Sequence, residues 1–412
     1  MPHGLAPLRH PEFRMLTAGQ LTSNVGDAFY GIALPWYVLA HQGGPLLLGI
    51  VLAAYGIPRT VLLAVGGHAS DRWRPWTVMM AADAVRAVAV AAMAVMAMAG
   101  PANPYLLVPV AAVLGVGAGM FVPGSFAIVP SLLPDEDLQA GNALTFGGTQ
   151  LAALIGPVAA GAVVVFLGPA AAFSVDAASF AVSTLTLARI RSREGGADVL
   201  APEDPGPSGS PTLRRLVASE RVLQIILILL VAANLGSGGM SEVALPALAH
   251  GPLHAGASGY GGLIAGFGAG ALLGTLVAAQ ARRARFPAVV ACIAFLLDAA
   301  CMAATPYVGG IIPVGAALFA VGALNSFGNV IIVTALQRWA PRQAIGRLMG
   351  LLMLAAMGVF PVSVLVAGLV VDSLGPAAFF PLAAATVAGA VVAGLTQRSW
   401  RTFGASANHL GG

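Results

Sequence analysis

The chain contains no lysine, and its 20 arginines and 16 acidic residues leave only 9% of 412 residues charged. Without lysine there is no Gly-x-x-x-x-Gly-Lys-[Ser/Thr] loop to cradle a nucleotide phosphate, so energy from bound ATP has no sequence support. Cysteine is almost absent too. Cys292 and Cys301 are nine positions apart in one apolar run, and ~13.5 Å of helix rise is too far for a disulfide. No His/Cys/Asp cluster has metal-binding spacing, and no Gly-x-Ser-x-Gly elbow offers a nucleophile. Neither a cofactor, a metal nor an enzymatic activity is therefore expected. A formal net charge of +4 is too small to suggest a nucleic-acid partner.

What remains is 58% hydrophobic residues, well above the roughly 45–50% of soluble domains. Apolar runs long enough to cross a ~30 Å hydrocarbon layer as helices fall at about 13–40, 46–68, 76–98, 105–128, 142–166 and 170–189. A second set falls at 222–247, 259–281, 287–305, 310–336, 347–371 and 376–397. The expectation is an all-α membrane protein of twelve transmembrane helices embedded in a lipid bilayer. The start, MPHGLAPLRHPEFR, lacks the basic head, short apolar run and cleavage site of a signal peptide, so the first crossing is expected to remain.

All arginines except Arg59 and Arg86 lie in the termini or in the loops between even and odd crossings. Basic loops stay cytoplasmic, which predicts a cell-membrane protein with both termini inside. One inner loop, Pro134-Asp135-Glu136-Asp137, is acidic and is expected to pair with neighbouring arginines. Near the midpoint, SREGGADVLAPEDPGPSGSPT has the composition of a flexible linker. Moving the chain against itself by 207 positions aligns Leu167-Gly168-Pro169-Ala170-Ala171 with Leu374-Gly375-Pro376-Ala377-Ala378, Gly67 with Gly274 and Pro134 with Pro341. The predicted organisation is a six-helix half over 1–190, a cytoplasmic linker over 191–221, a second half over 222–401 and a tail over 402–412.

Ionisable groups inside the hydrocarbon are costly and therefore functional candidates. At ~1.5 Å per residue, Asp27, Arg59, Asp176 and Asp298 sit roughly 16–21 Å from the cytoplasmic side, with Asp83 and Arg86 lower at ~10–15 Å. Asp27 and Arg59 have matching depths and are expected to pair, while Asp83 and Arg86 are three apart on one helix face. Asp176 and Asp298 have no obvious cation. A buried carboxyl without a cation holds a proton more readily than one beside arginine, which nominates these two for proton coupling and Asp27 for a substrate, proton or purely structural role. Asn234, Asn325 and Asn329 are mid-membrane amides suited to binding or to joining helices.

Gly66 to Trp76, GGHASDRWRPW, forms a charged knot between the second and third apolar runs. Its Gly-x-x-x-Asp-Arg resembles the signature loop of the major facilitator superfamily of transporters. Gly156-Pro157-Val158-Ala159-Ala160-Gly161 resembles that superfamily's antiporter motif, with Ala160 replacing one glycine. Phe13-Arg14, Gly19-Gln20, Gly26-Asp27, Ala82 to Ala87, Asp176 to Phe180 and Leu336-Gln337-Arg338 are together similar to the branch of macrolide-efflux and enterobactin-exporter proteins. The resemblance implies two six-helix halves rocking around a central site. It gives Gly67, Asp71 and Arg72 the role of a gating loop, and Gly156, Pro157 and Gly161 that of a bend allowing helix 5 to slide.

The implied activity is export of amphipathic small molecules, drugs or natural products such as siderophores. It would be driven by the proton gradient, with no other cofactor, in a monomer. Two other readings remain open on the residues alone: uptake of a small solute, and a transport-inactive sensor or scaffold of the same fold.

Overall fold

Glycine followed by proline makes two of this protein's helix-to-helix corners. Gly168 (φ 82°, ψ 168°) and Gly375 (φ 85°, ψ 162°) adopt nearly the same left-handed, extended conformation, which glycine enters without the Cβ penalty. The prolines that follow, at the first helical position, need no backbone donor. These are the two Leu-Gly-Pro-Ala-Ala segments related by 207 positions.

The computed structural model describes residues 3–41, 43–72, 75–100, 103–191, 217–218, 220–280, 286–340, 342–401 and 403. Among these, every regular element is a helix. The long ones are α1 (Pro11–Ala40), α2 (Gly44–Arg72), α3 (Pro75–Met98) and α4 (Leu107–Leu132). Asp135–Arg191 is continuous except at Gly168, which divides it into α5 (135–167) and α6 (169–191). Then follow α7 (Arg221–His250), α8 (Gly256–Gln280), α9 (Pro287–Ala304), α10 (Ile311–Trp339), α11 (Arg342–Leu374) and α12 (Pro376–Thr396). Ten apolar stretches are long enough to cross a membrane, one of them the 55-residue Glu136–Ile190 that α5 and α6 share. The 30-residue α1 is long enough as well, but Gln20 to Asp27 makes it too polar for that count. Among the described residues the total is twelve crossings.

Several expected boundaries move. The knot after the second run is mostly helix: α2 continues to Arg72 and α3 begins at Pro75. Nothing in Gly66 to Ser70 obliges the helix to stop, and Pro75 suits the start of the next. Gly67, Asp71 and Arg72 thus belong to the last turns of α2, while Arg74 and the side chains of 64–74 lie outside the described residues. The acidic loop is likewise the first turn of α5, where carboxylates complement the helix dipole. Among the described residues Asp137 has no arginine partner; its Oδ2 lies 3.2 Å from His10 Nε2.

By contacts the chain forms two units, Met1–Asp204 with Ala255–Gly261, and Pro205–His254 with Gly262–Gly412. Most of 191–221 and of 402–412 lies outside the described residues. In the first unit Phe13, Leu16, Trp76, Met79, Ile128, Leu187 and Ile190 are buried together at one end of α1, α3, α4 and α6. Higher up, Gly115 and Gly119 bring α4 onto the α2 backbone. A Cβ on Gly115 would collide with the Tyr55 carbonyl, and one on Gly119 would sit 2.6 Å from the Arg59 carbonyl oxygen. This is small-xxx-small packing, which serves in lipid where hydrophobic association is weak. In the second unit Trp400, fully buried, donates to Cys292 Sγ at 3.2 Å and stacks on Phe403.

Candidate substrate and coupling site

Within the first unit, α1, α3 and α6 converge on Arg86. Asp83 and Arg86 are one helical turn apart on α3, and Arg86 NH1 donates to Asp83 Oδ1 at 3.1 Å. Its other terminal nitrogen donates to both carboxylate oxygens of Asp27 on α1, at 2.8 and 3.1 Å. From α6, Ser183 donates to Asp83 Oδ2 at 2.6 Å. The guanidinium lies 3.9 Å from the centroid of the Phe180 ring and 5.3 Å from that of Phe121, a cation–π sleeve worth more when desolvated.

Burial is uneven across this network. Asp83 is inaccessible and Arg86 only 6% exposed, whereas the Asp27 side chain is 47% exposed. Asp27 is the member of the cluster that a molecule from outside can reach.

Asp176 stands one step away on α6. It is fully buried; Oδ1 accepts from Ser179 at 3.4 Å and Oδ2 has no hydrogen-bond partner. Gly26, beside Asp27, makes this possible, because a Cβ there would lie 2.6 Å from Asp176 Oδ1. Asp27, Asp83 and Asp176 all act electrostatically on Arg86. Three carboxyl groups around one guanidinium leave more negative charge than the cation neutralises, and uncompensated buried charge costs several kcal/mol. Among the described residues only Asp27 and Asp83 bond the guanidinium directly.

The expected Asp27–Arg59 pair does not form. Arg59 places its guanidinium over Tyr55, 5.6 Å from the ring centroid, and its Nε has no hydrogen-bond partner. Equal depth on neighbouring helices does not fix rotational phase, and α3 presents Arg86 to α1 where α2 turns Arg59 elsewhere. Ser183 and Phe180 were not singled out by sequence reasoning for contact with this cluster. A signal existed, since Asp176, Ser179 and Ser183 recur at i, i+3 and i+7 in α6, which places them on one face.

The other candidates lie elsewhere. Asp298, 2% exposed in the second unit, accepts from Asn325 Nδ2 at 3.4 Å through Oδ2, and its Oδ1 has no partner. Asn329 donates to Asn325 Oδ1 at 3.0 Å, so these three form one polar chain. Asn329 also borders a cavity of about 40 Å³ otherwise walled by apolar side chains such as Ile226, Phe295 and Val391. Asn234 spends its amide on the Leu230 carbonyl of its own helix, at 2.8 Å. Gly156 brings α5 against Ala28, next to Asp27, and Gly161 lies against the Ala257 carbonyl within the first unit. Pro157 sits inside α5. Among the described residues no group of His, Cys, Asp and Glu could hold a metal ion.

A multi-pass helical membrane protein with buried charge in one six-helix unit has the features of a membrane transporter of small molecules. Residues 3–407 match the transmembrane secretion effector family, MFS_3, and the chain belongs to that family of major facilitator superfamily transporters. It is similar to the multidrug efflux pump Tap of Mycobacterium tuberculosis (strain ATCC 25618 / H37Rv), 30% identical over 196 residues, about half (46%) of each chain. It is also similar to the enterobactin exporter EntS of Citrobacter koseri, 26% identical over 355 residues that cover 83% of this chain and 81% of that one. The fold is that of a bacterial homologue of the iron transporter ferroportin, with a TM-score of 0.75 at 17% identity over 95% of this chain and 99% of the other.

Proposed function

We propose that the protein exports amphipathic small molecules from the cytoplasm in exchange for protons, by alternating access, in the cell membrane with both termini cytoplasmic. The observation that carries this reading is the sharing of Arg86 between a half-exposed Asp27 and a buried Asp83, with Asp176 close by. Neutralising Asp27, by a proton or by a cationic group of the substrate, removes its claim on Arg86. The guanidinium then turns fully to Asp83, and through Ser183 the change reaches α6. Proton and substrate thus compete for one carboxylate, which is what exchange requires. Similarity to a multidrug efflux pump and to an exporter supports the outward direction. Arginine-rich loops support the orientation.

The test is proton-gradient quenching in inverted vesicles challenged with macrolides, other hydrophobic antibiotics and siderophores. Gradient collapse on adding a compound, absent in Asp27→Asn, is the expected result. Transport of a compound without any proton movement would overturn the coupling.

A further inference from the structure

α7 is interrupted in the second unit. In a regular helix the Gly239 amide would donate to the Leu235 carbonyl. Instead Gly239 N donates to Ser363 Oγ at 2.6 Å, and Ser363 Oγ donates to Leu235 O at 2.6 Å. A hydroxyl from α11, fully buried, has entered one rung of the α7 ladder. Two bonds through an oxygen stand where a regular helix has one direct bond of ~2.9 Å.

The flanking turns absorb this. Met240 N–H is shared between Gly236 O and Ser237 O, and Met240–Ala244 forms a π-turn closed by Leu245 N–H on Met240 O. Ser241 Oγ takes the Ser237 carbonyl at 2.9 Å. Pro246 has no donor to give the Glu242 carbonyl. Gly239 is the residue that admits the hydroxyl, since a Cβ there would lie 2.6 Å from both Ala367 Cβ and Phe379 Cζ. Inserted hydroxyls and π-turns are the identifiable causes of helix bends, and π-turns concentrate at functional sites.

We propose that 235–244 is a hinge in α7 and that Ser363 is its removable spacer. With the hydroxyl in the rung, the Gly239 amide and the Leu235 carbonyl are each held by Ser363. When Ser363 withdraws, Gly239 bonds Leu235 directly and the segment straightens. The hinge is a property of the second unit and does not depend on the direction or coupling of transport.

Amide hydrogen exchange on the full chain in lipid nanodiscs tests this without a substrate. Ser363→Ala lets the rung close, so exchange across 236–244 slows by about tenfold, as local opening becomes rarer. Pro246→Ala restores a backbone donor and slows the same amides with Ser363 in place. If Ser363 merely pins α11 to α7, its removal speeds exchange there; that result, or no change, overturns the proposal. Should Ser363→Ala fail to insert as a monodisperse protein, Pro246→Ala decides alone, with unchanged or faster exchange counting against the hinge.

Discussion

One guanidinium nitrogen of Arg86 reaches both carboxylate oxygens of Asp27, 59 residues earlier in the chain, at 2.8 and 3.1 Å. The bond ties a buried cation on α3 to a half-exposed acid on α1, and it makes the two ends of the pair unequal under mutation.

Asp27→Asn is expected to leave the protein inserted and folded, because Arg86 keeps Asp83 and the amide is nearly isosteric. Arg86→Leu is expected to be far worse, since it strands Asp83 and Asp176 in the bundle; breaking a buried pair from one side costs about 3–5 kcal/mol. Arg86→Lys recovers little, because an ammonium cannot face two carboxylates and two rings as a planar fork does. Yield of monodisperse protein and melting temperature in detergent check the order Asp27→Asn, Arg86→Lys, Arg86→Leu.

Ser183→Ala removes the 2.6 Å hydrogen bond to Asp83 Oδ2 and leaves a buried acceptor short of a donor, a loss of about 1–3 kcal/mol. Thermal unfolding of the purified variant should fall accordingly, and Ser183→Thr should recover part of it.

Asp176→Asn is expected to preserve fold and insertion, since no cation depends on it for its only partner: Arg86 bonds Asp27 and Asp83. If Asp176 takes part in proton exchange, flux in this variant loses part of its dependence on pH. Flux measured from pH 5.5 to 8.5 in proteoliposomes checks this; an unchanged profile would remove Asp176 from the coupling set.

Gly119→Leu should uncouple α2 from α4, because a Cβ there would already lie 2.6 Å from the Arg59 carbonyl and 2.9 Å from Leu62 Cβ. Gly350→Leu, where nothing lies within 4 Å of a Cβ, is the matched control. Expression of folded protein should collapse in the first and persist in the second.

Much of this architecture was legible in the letters. Apolar runs bounded by Gly-Pro corners locate the crossings, because membrane length and the missing proline donor are local constraints. The end of α2 was not legible, since glycine and small polar residues in 66–70 are compatible with helix or turn. The partner of Asp27 was not legible either: depth follows from counting residues, but each residue turns a helix by about 100°, and that phase depends on packing. The Ser363 insertion joins positions 128 residues apart, and no pattern within α7 announces a hydroxyl arriving from α11.

The most direct measurement compares wild type with Asp27→Asn in proteoliposomes, using a compound found to collapse the proton gradient. Both substrate exchange at equal pH and uphill accumulation driven by a pH difference would be followed. pH-driven accumulation should disappear in Asp27→Asn, and exchange of a cationic compound should weaken with it, because both proton and substrate need the carboxylate. Accumulation in Asp27→Asn equal to wild type would contradict the role of the Asp27–Arg86 pair in coupling.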